Sequence, residues 1–275
     1  MTEATDKAQY YSCPVGVFDS GFGGASTLRS ILHELPDERF IYFGDNANAP
    51  YGDRPEEEIL RLSEAAAELL LGHGVKALVV ACNTATSASI KALRQKLDVP
   101  VVSVEPAIKP ACETPGSGKV LMLATVATTK LARYRALQAR MPEPDRVINV
   151  GCSGLVERIE RGVTADDGFD DILCRHLAPY EGATIDGIVL GCTHFPFIAG
   201  AIKRYAKQHF NGECRLYDGN AGTARQLGRV LRREGLAAPE GACEGLTSNE
   251  RVRFYTSADA ASAEPIFRRL LALPE

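Results

Sequence analysis

The chain has 275 residues, with 31 Lys and Arg against 35 Asp and Glu, and its formal net charge is -4. This mildly acidic balance argues against a domain that neutralises nucleic-acid phosphates. At 45 % hydrophobic and 24 % charged residues, the composition is that of a globular protein with a sizeable core. No stretch approaches the roughly 20 apolar residues of a membrane span, so we expect neither nucleic-acid nor membrane partners.

Residues 1–12 are polar and lack the basic and apolar regions of a signal peptide, so we expect a disordered tail and a cytoplasmic protein. The eight cysteines are then expected to stay reduced. None of them forms a C-x-x-C pair, which disfavours zinc ribbons and thioredoxin-like motifs. Most should be small buried hydrophobic residues, with one or two left for chemistry.

Short β-branched runs alternate with segments of helical period along the chain. The first predicted strands and the helices that follow them are 14–20 and 23–35, 40–45 and 55–74, and 77–83 and 84–97. Further strands are predicted at 99–104, 119–125, 146–152, 187–194, 215–219 and 252–257. Alternating β and α segments with continuously apolar strands are typical of parallel sheets covered by helices on both faces. The sequence therefore predicts an α/β fold.

A weak internal repeat is centred on Cys82 and Cys192. Each cysteine ends an apolar strand and is followed by small polar residues. The separation of the two is close to the length of a small α/β domain. Ligands of open α/β sheets bind beyond the carboxyl ends of the strands. We therefore expect two pseudo-symmetric parallel-sheet domains, with both thiols in an active site between them.

The loop of residues 19–24, DSGFGG, follows the first predicted strand and opens a helix. A dinucleotide-binding loop would need Gly at position 26, where the chain has Ser26. Free backbone N–H groups at a helix N-terminus favour instead an anion such as a carboxylate. Asp19 suits a neighbouring amine or a proton transfer, and its alternative role is to cap the helix.

A cysteine that takes part in proton transfer needs a neighbouring group that removes its thiol proton, because a thiol with a pKa of about 8.5 is mostly protonated at neutral pH. His194 lies two residues after Cys192 and is suited to shuttle that proton. Cys82 has no base near it in the sequence, and Asp19 is the natural candidate for a base that comes from elsewhere in the chain. Two opposed thiols would remove a proton from one face of a carbon and return one to the other face, which inverts a stereocentre.

The carbanion formed at such a carbon must be stabilised by hydrogen-bond donors around the substrate carboxylate. The candidate donors are the backbone N–H groups of these loops and Ser20, Asn83, Thr84 and Thr193. Three other functions remain open at this point. They are a Cys–His hydrolase with Cys192 as nucleophile, a non-catalytic binding module for small acids, and a metal site. The metal site would take Cys174 and His176 together with Cys192 and His194.

Six motifs carry a resemblance to a known family, in the order VGVFDSGFGG, GDNANAPYG, VVACNTATSA, VVSVEPA, LGCTHFP and DGNAGTAR. From about residue 15 to its end, the chain resembles the cofactor-independent glutamate racemases of the aspartate/glutamate racemase superfamily. The resemblance implies interconversion of L- and D-glutamate, which supplies D-glutamate for bacterial peptidoglycan, without cofactor or metal and as a homodimer. Aspartate or a related amino acid is the alternative substrate.

The resemblance also implies roles for individual residues. Cys82 would act on D-glutamate with help from Asp19, and Cys192 on L-glutamate with help from His194. Glu160 would be the acid near that histidine, although Glu157 is close enough in sequence to compete for the role. The substrate contacts implied are Asp19, Ser20, Tyr51, Gly52, Asn83, Thr84, Thr193 and His194, with Thr125 and Thr128 added to the pocket. The first domain would comprise residues 13–103 and 216–275, and the second residues 104–215.

Overall fold

The computed structural model describes residues 13–161 and 168–273. The tail predicted over residues 1–12 lies outside them. The strands of the described residues are β1 (Val15–Asp19), β2 (Phe40–Gly44), β3 (Ala77–Val80), β4 (Val101–Ser103), β5 (Lys119–Ala124), β6 (Val147–Gly151), β7 (Ile185–Leu190), β8 (Arg215–Tyr217) and β9 (Val252–Thr256). Each predicted strand overlaps one of these strands, although β7 begins two residues before the segment predicted at 187–194, and residues 191–194 follow the strand.

Helices connect the strands and cover the sheets. In the described part of the chain they are α1 (Ala25–Glu34), α2 (Glu56–Gly72), α3 (Asn83–Lys96), α4 (Ile108–Glu113), α5 (Val126–Lys130), α6 (Ala132–Ala139), α7 (Leu155–Glu160), α8 (Asp170–Leu177), α9 (Ala199–His209), α10 (Asn220–Arg233) and α11 (Ala260–Leu271). None of these helices combines the length and the apolar character that a bilayer crossing requires.

All strand pairs are parallel, in two separate sheets. The order is β4-β3-β1-β2-β9 in the first sheet and β6-β5-β7-β8 in the second. Every residue of β1, β2 and β3 is buried, as expected for strands whose two faces both pack against helices. The α/β fold predicted from the alternating pattern is confirmed.

The second sheet repeats the strand order of the first. Read in reverse, its order β8-β7-β5-β6 matches β4-β3-β1-β2, with β9 as an addition at the edge. In this correspondence β7 is the counterpart of β3, and β5 is the counterpart of β1. Cys82 follows β3 and Cys192 follows β7, so the repeat seen in the sequence is a repeat of equivalent strand ends.

The division of the chain into two domains stays a prediction, but the predicted boundary between residues 215 and 216 falls inside a strand. A boundary between residues 215 and 216 would cut β8, whose three residues all pair with β7. The strands of the first sheet come from residues 15–103 and 252–256, and those of the second from residues 119–217. A boundary after residue 217 keeps the second sheet whole.

Arg251 joins the C-terminal part of the first sheet to the end of α1. Its buried guanidinium donates to the carbonyl oxygens of Leu32 at 2.9 Å, Leu35 at 3.0 Å and Pro36 at 2.9 Å. The last carbonyls of a helix have no partner within the helix. Arg251 therefore satisfies the buried Leu32 carbonyl and adds a second hydrogen bond at the buried Leu35 carbonyl, which also accepts from the Glu38 N–H at 3.3 Å.

We expect Arg251→Ala to lower the free energy of unfolding by about 2 kcal/mol, because it leaves the buried Leu32 carbonyl unpaired and removes a hydrogen bond from the Leu35 carbonyl. Urea denaturation followed by circular dichroism measures this loss. Arg253→Ala is the matched control, since Arg253 is an exposed residue of the same strand region, and it should change stability by less than about 0.5 kcal/mol. Equal losses in the two variants would contradict the role given to Arg251.

Candidate active site

A small cavity lies where the carboxyl ends of the strands of the two sheets meet. Its lining includes ten of the residues that the sequence singled out. They are Ser20, Tyr51, Gly52, Cys82, Asn83, Thr84, Thr125, Cys192, Thr193 and His194, joined by Pro50 and Val156. The other three candidates, Asp19, Glu160 and Thr128, lie behind this lining and contact it.

Cys82 occupies the N-cap of α3, where its Sγ accepts a hydrogen bond from the backbone N–H of Ala85 at 3.4 Å. The Ser20 hydroxyl lies 3.4 Å from the same sulfur. Burial raises the pKa of the Cys82 thiol to about 12, and the negative charge of Asp19 adds to the effect. At neutral pH Cys82 is therefore a protonated thiol that faces the cavity.

Asp19 ends β1 and is completely buried. Its Oδ1 accepts from the backbone N–H of Gly21 at 2.9 Å, and its Oδ2 accepts from the Thr193 hydroxyl at 3.1 Å. Burial raises the pKa of this carboxyl, although the neighbouring His194 and the two hydrogen bonds act in the opposite direction. Asp19 thus contacts the loop of Cys192, while Ser20 makes the hydrogen-bond contact with Cys82.

Cys192 and His194 lie in the turn that follows β7, with the Cys192 Sγ 3.6 Å from His194 Nδ1. The other ring nitrogen, Nε2, is 2.5 Å from Glu160 Oε1. Burial lowers the pKa of His194, but its hydrogen bonds with Cys192 and Glu160 more than offset this and raise the pKa well above the usual value. The arrangement favours an imidazolium whose positive charge lies beside the Cys192 sulfur.

Glu160, the last residue of α7, is the carboxylate that contacts His194. Glu160 Oε1 also accepts from the backbone N–H of Phe22 at 2.7 Å, and Oε2 accepts from Asn46 Nδ2 at 3.1 Å. This geometry favours Glu160 over Glu157 as the acid beside the histidine. Sequence reasoning missed Asn46, which stands within a quoted motif but has no chemistry of its own to single it out.

The glycines of the DSGFGG loop allow it to approach this cluster. A Cβ on Gly21 would overlap the Glu160 carboxylate, and a Cβ on Gly23 would overlap the His194 ring and the Thr193 hydroxyl. Ser26, one turn into α1, donates to the Thr193 carbonyl at 2.7 Å. The glycines therefore serve close packing between the two halves of the site.

Three threonine hydroxyls meet at another part of the cavity wall. Thr84 Oγ1 is 2.9 Å from Thr125 Oγ1 and 3.0 Å from Thr128 Oγ1, and the last two are 3.0 Å apart. Thr84 follows the first sheet and Thr125 the second, since Thr125 caps α5 after β5. Gly52 packs so closely that a Cβ there would lie 2.8 Å from Thr125 Cβ.

Two further polar side chains differ in what they offer to a ligand. The hydroxyl of Tyr51 donates to Asp45 Oδ2 at 2.7 Å, so the ring, rather than a free hydroxyl, faces the cavity. Asn83 Oδ1 is buried without a hydrogen-bond partner. A buried amide oxygen without a partner is costly, and a ligand ammonium group in the cavity would satisfy it.

The metal alternative finds no support in the part of the chain that is described. No group of three or more His, Cys, Asp or Glu among residues 13–161 and 168–273 is arranged to hold a metal ion. Cys174 is exposed whereas Cys192 is buried, and His176 Nε2 instead lies 2.9 Å from the Ser153 carbonyl.

Residues 16–227 match the family model for Asp/Glu/Hydantoin racemase, and the chain belongs to this family. A glutamate racemase from Clostridium novyi is 42% identical over 219 residues, which are 79% of this chain and 83% of that protein. The resemblance to glutamate racemases drawn from the six motifs is confirmed.

Solved structures of glutamate racemases share the fold over nearly the whole chain. The Escherichia coli enzyme, in complex with L-glutamate and the activator UDP-MurNAc-ala, has a TM-score of 0.77 at 34% identity, covering 94% of this chain and 95% of that one. The Thermus thermophilus enzyme, in complex with beta-chloro-D-alanine, has a TM-score of 0.73 at 34% identity, covering 94% and 93%.

We expect Glu160→Gln to lower the pKa of His194 by about 1 to 3 pH units, because the carboxylate no longer stabilises the imidazolium. NMR titration of the labelled histidine ring measures the change among the 5 histidines of the chain. Glu157→Gln, one turn earlier on α7, is the control and should leave the His194 pKa unchanged. The contact assigned to Glu160 is wrong if the two variants titrate alike.

Proposed function

We propose that this protein interconverts L- and D-glutamate by a two-base mechanism, with Cys82 and Cys192 acting on opposite faces of the substrate Cα. The observation that carries the proposal is that both thiols line one small cavity from equivalent strand ends of two repeated sheets. The substrate comes from the comparisons, because the similar proteins named above are glutamate racemases. They give no support to aspartate as the alternative.

In the direction from L- to D-glutamate, Cys192 acts as the base. Its thiolate, held by the His194 imidazolium, accepts the Cα proton, and the bonding electrons stay on Cα as a carbanion. The Cys82 thiol then donates its proton to the opposite face of Cα. The high pKa of Cys82, about 12, keeps this proton in place until a strong carbon base forms beside it. The reverse reaction exchanges the two roles.

The pocket must stabilise the carbanion, because an amino-acid Cα–H is a very weak acid. Donors that point at the substrate carboxylate from fixed positions stabilise negative charge as it develops there. The backbone N–H groups at the start of α3 and the hydroxyls of Ser20 and Thr84 supply such donors from the lining, whereas the Thr193 hydroxyl donates to Asp19. Asn83 Oδ1 is the group left to receive the ammonium.

The proposal also covers the biological role, the location, the oligomeric state and the cofactor requirement of the enzyme. D-Glutamate made by this reaction would supply bacterial peptidoglycan synthesis. We propose a cytoplasmic homodimer, in keeping with the family resemblance. No cofactor enters the proposed steps, since the two thiols, the carboxylates and the imidazole account for every proton moved.

We expect Cys82→Ala and Cys192→Ala each to lower the racemisation rate by at least about a thousandfold, because each removes one of the two proton-transfer groups. Circular dichroism of L-glutamate after addition of the purified protein measures the rate. Cys152→Ala is the matched control, since Cys152 is buried but does not line the cavity, and it should retain activity within a few-fold.

The same pair of variants separates racemisation from hydrolysis. A hydrolase that uses Cys192 as its nucleophile would tolerate Cys82→Ala and would form an acyl adduct at Cys192 that intact-mass measurement detects. Full racemase activity in either cysteine variant would contradict the two-base proposal.

A further inference from the structure

Asn46 lies between the end of the first sheet and the carboxylate that contacts His194. Its Nδ2 donates to Glu160 Oε2 at 3.1 Å, and its Oδ1 accepts from the Thr256 hydroxyl at 2.9 Å. Thr256 is the last residue of β9, the added edge strand of the first sheet. Neither residue lines the cavity, and their contacts reach it through Glu160.

The orientation of the Asn46 amide follows from its two partners, the Glu160 carboxylate and the Thr256 hydroxyl. The Thr256 Oγ1 accepts a hydrogen bond from the backbone N–H of Ala258 at 3.1 Å, which directs its own proton to Asn46. Because the Glu160 carboxylate can only accept, the Asn46 NH₂ group faces it, and the Asn46 oxygen is left to accept from the Thr256 hydroxyl. Thr256 thus holds the amide in the orientation that the carboxylate requires.

Glu160 is held by donors from the first sheet although it belongs to a helix of the second. Phe22 N–H and Asn46 Nδ2 both come from loops that follow first-sheet strands, and each contacts a different oxygen of the carboxylate. Two such contacts fix the carboxylate plane and hence the direction of Oε1 towards His194 Nε2. The position of the imidazole beside Cys192 depends on that direction.

We infer that Asn46, oriented by Thr256, is a positioning residue for proton transfer at Cys192. The inference rests on the proposed racemase function and adds an asymmetry to it. Cys82 takes its contacts from Ser20 and Ala85, and none of the contacts of Asn46 leads to it. Loss of the Asn46 contact therefore slows the proton transfer at Cys192 and leaves the one at Cys82 unchanged.

A measurement of kcat/KM alone does not show whether the proton transfer at Cys192 or the one at Cys82 has been slowed. The two enantiomers of glutamate have equal free energy in water, so the equilibrium constant is one and kcat/KM must be the same in both directions. Isotope effects distinguish the two transfers, because deuterium at Cα of L-glutamate slows the step at Cys192 and deuterium at Cα of D-glutamate slows the step at Cys82. The slower of the two proton transfers shows the larger deuterium isotope effect on kcat/KM.

The test compares Thr256→Val, which keeps the shape but removes the hydroxyl, with Thr256→Ser, which keeps the hydroxyl, and adds Asn46→Asp. We expect kcat/KM to fall about tenfold in Thr256→Val, which loses the hydrogen bond that holds the Asn46 amide. In Asn46→Asp, kcat/KM should fall up to about a hundredfold, because a second carboxylate replaces the donor to Glu160. The isotope effect on kcat/KM should rise for L-glutamate and fall for D-glutamate in both variants. Thr256→Ser should behave as the unaltered protein.

Ser257→Ala is the matched control, since the Ser257 hydroxyl accepts from the Ala47 N–H at 3.0 Å and joins the same two loops without reaching Glu160. It should leave kcat/KM within twofold and both isotope effects unchanged. A purely structural role for Thr256 would lower activity without moving the two isotope effects in opposite directions. That result, or equal behaviour of the Val and Ser variants, overturns the inference.

The outcome for the unaltered protein separates this inference from the proposed function. If the unaltered protein racemises glutamate and the variants show no opposed isotope effects, only the role of Asn46 is wrong. If the unaltered protein leaves the optical activity of L-glutamate unchanged, the racemase proposal itself is wrong.

Discussion

The Glu160 carboxylate is the group on which the site depends, because it contacts His194 within the second half of the molecule and also accepts hydrogen bonds from loops of the first sheet. Glu160 follows β6 of the second sheet, yet its carboxylate accepts from Phe22 and Asn46 of the first. With donors on both oxygens and an imidazole at 2.5 Å, the carboxylate favours the charged form of the ring. Cys192 gains a cationic neighbour that is fixed in place by residues of both halves of the molecule.

The two thiols occupy equivalent strand ends but have different electrostatic surroundings. Cys82 has a buried carboxylate nearby and a pKa raised to about 12, whereas Cys192 has His194 beside it. Repetition of the strand order explains why the thiols face one cavity. In the proposed mechanism the unequal partners let Cys192 act as the base and Cys82 as the acid when L-glutamate is the substrate, and the roles are exchanged for D-glutamate.

The fold and most of the site could be predicted from the sequence because their signals are local. Alternating apolar and amphipathic segments indicated the parallel sheets, and the residues next to each cysteine pointed to His194 and to Asn83. The pair Asn46 and Thr256 could not be predicted in this way, since their contact spans 210 residues and has no periodicity. Glu160 and Glu157 were likewise indistinguishable until the direction of α7 was known.

The central claim is that two different groups handle the two faces of Cα, and early solvent-deuterium incorporation tests it most directly. L-Glutamate is converted in D₂O to a small extent, and mass spectrometry then measures the label at Cα in the product and in the recovered substrate. The account predicts one deuterium in D-glutamate while the remaining L-glutamate keeps its original proton. Equal labelling of both enantiomers from the first turnovers would mean that one base serves both faces and would contradict the account.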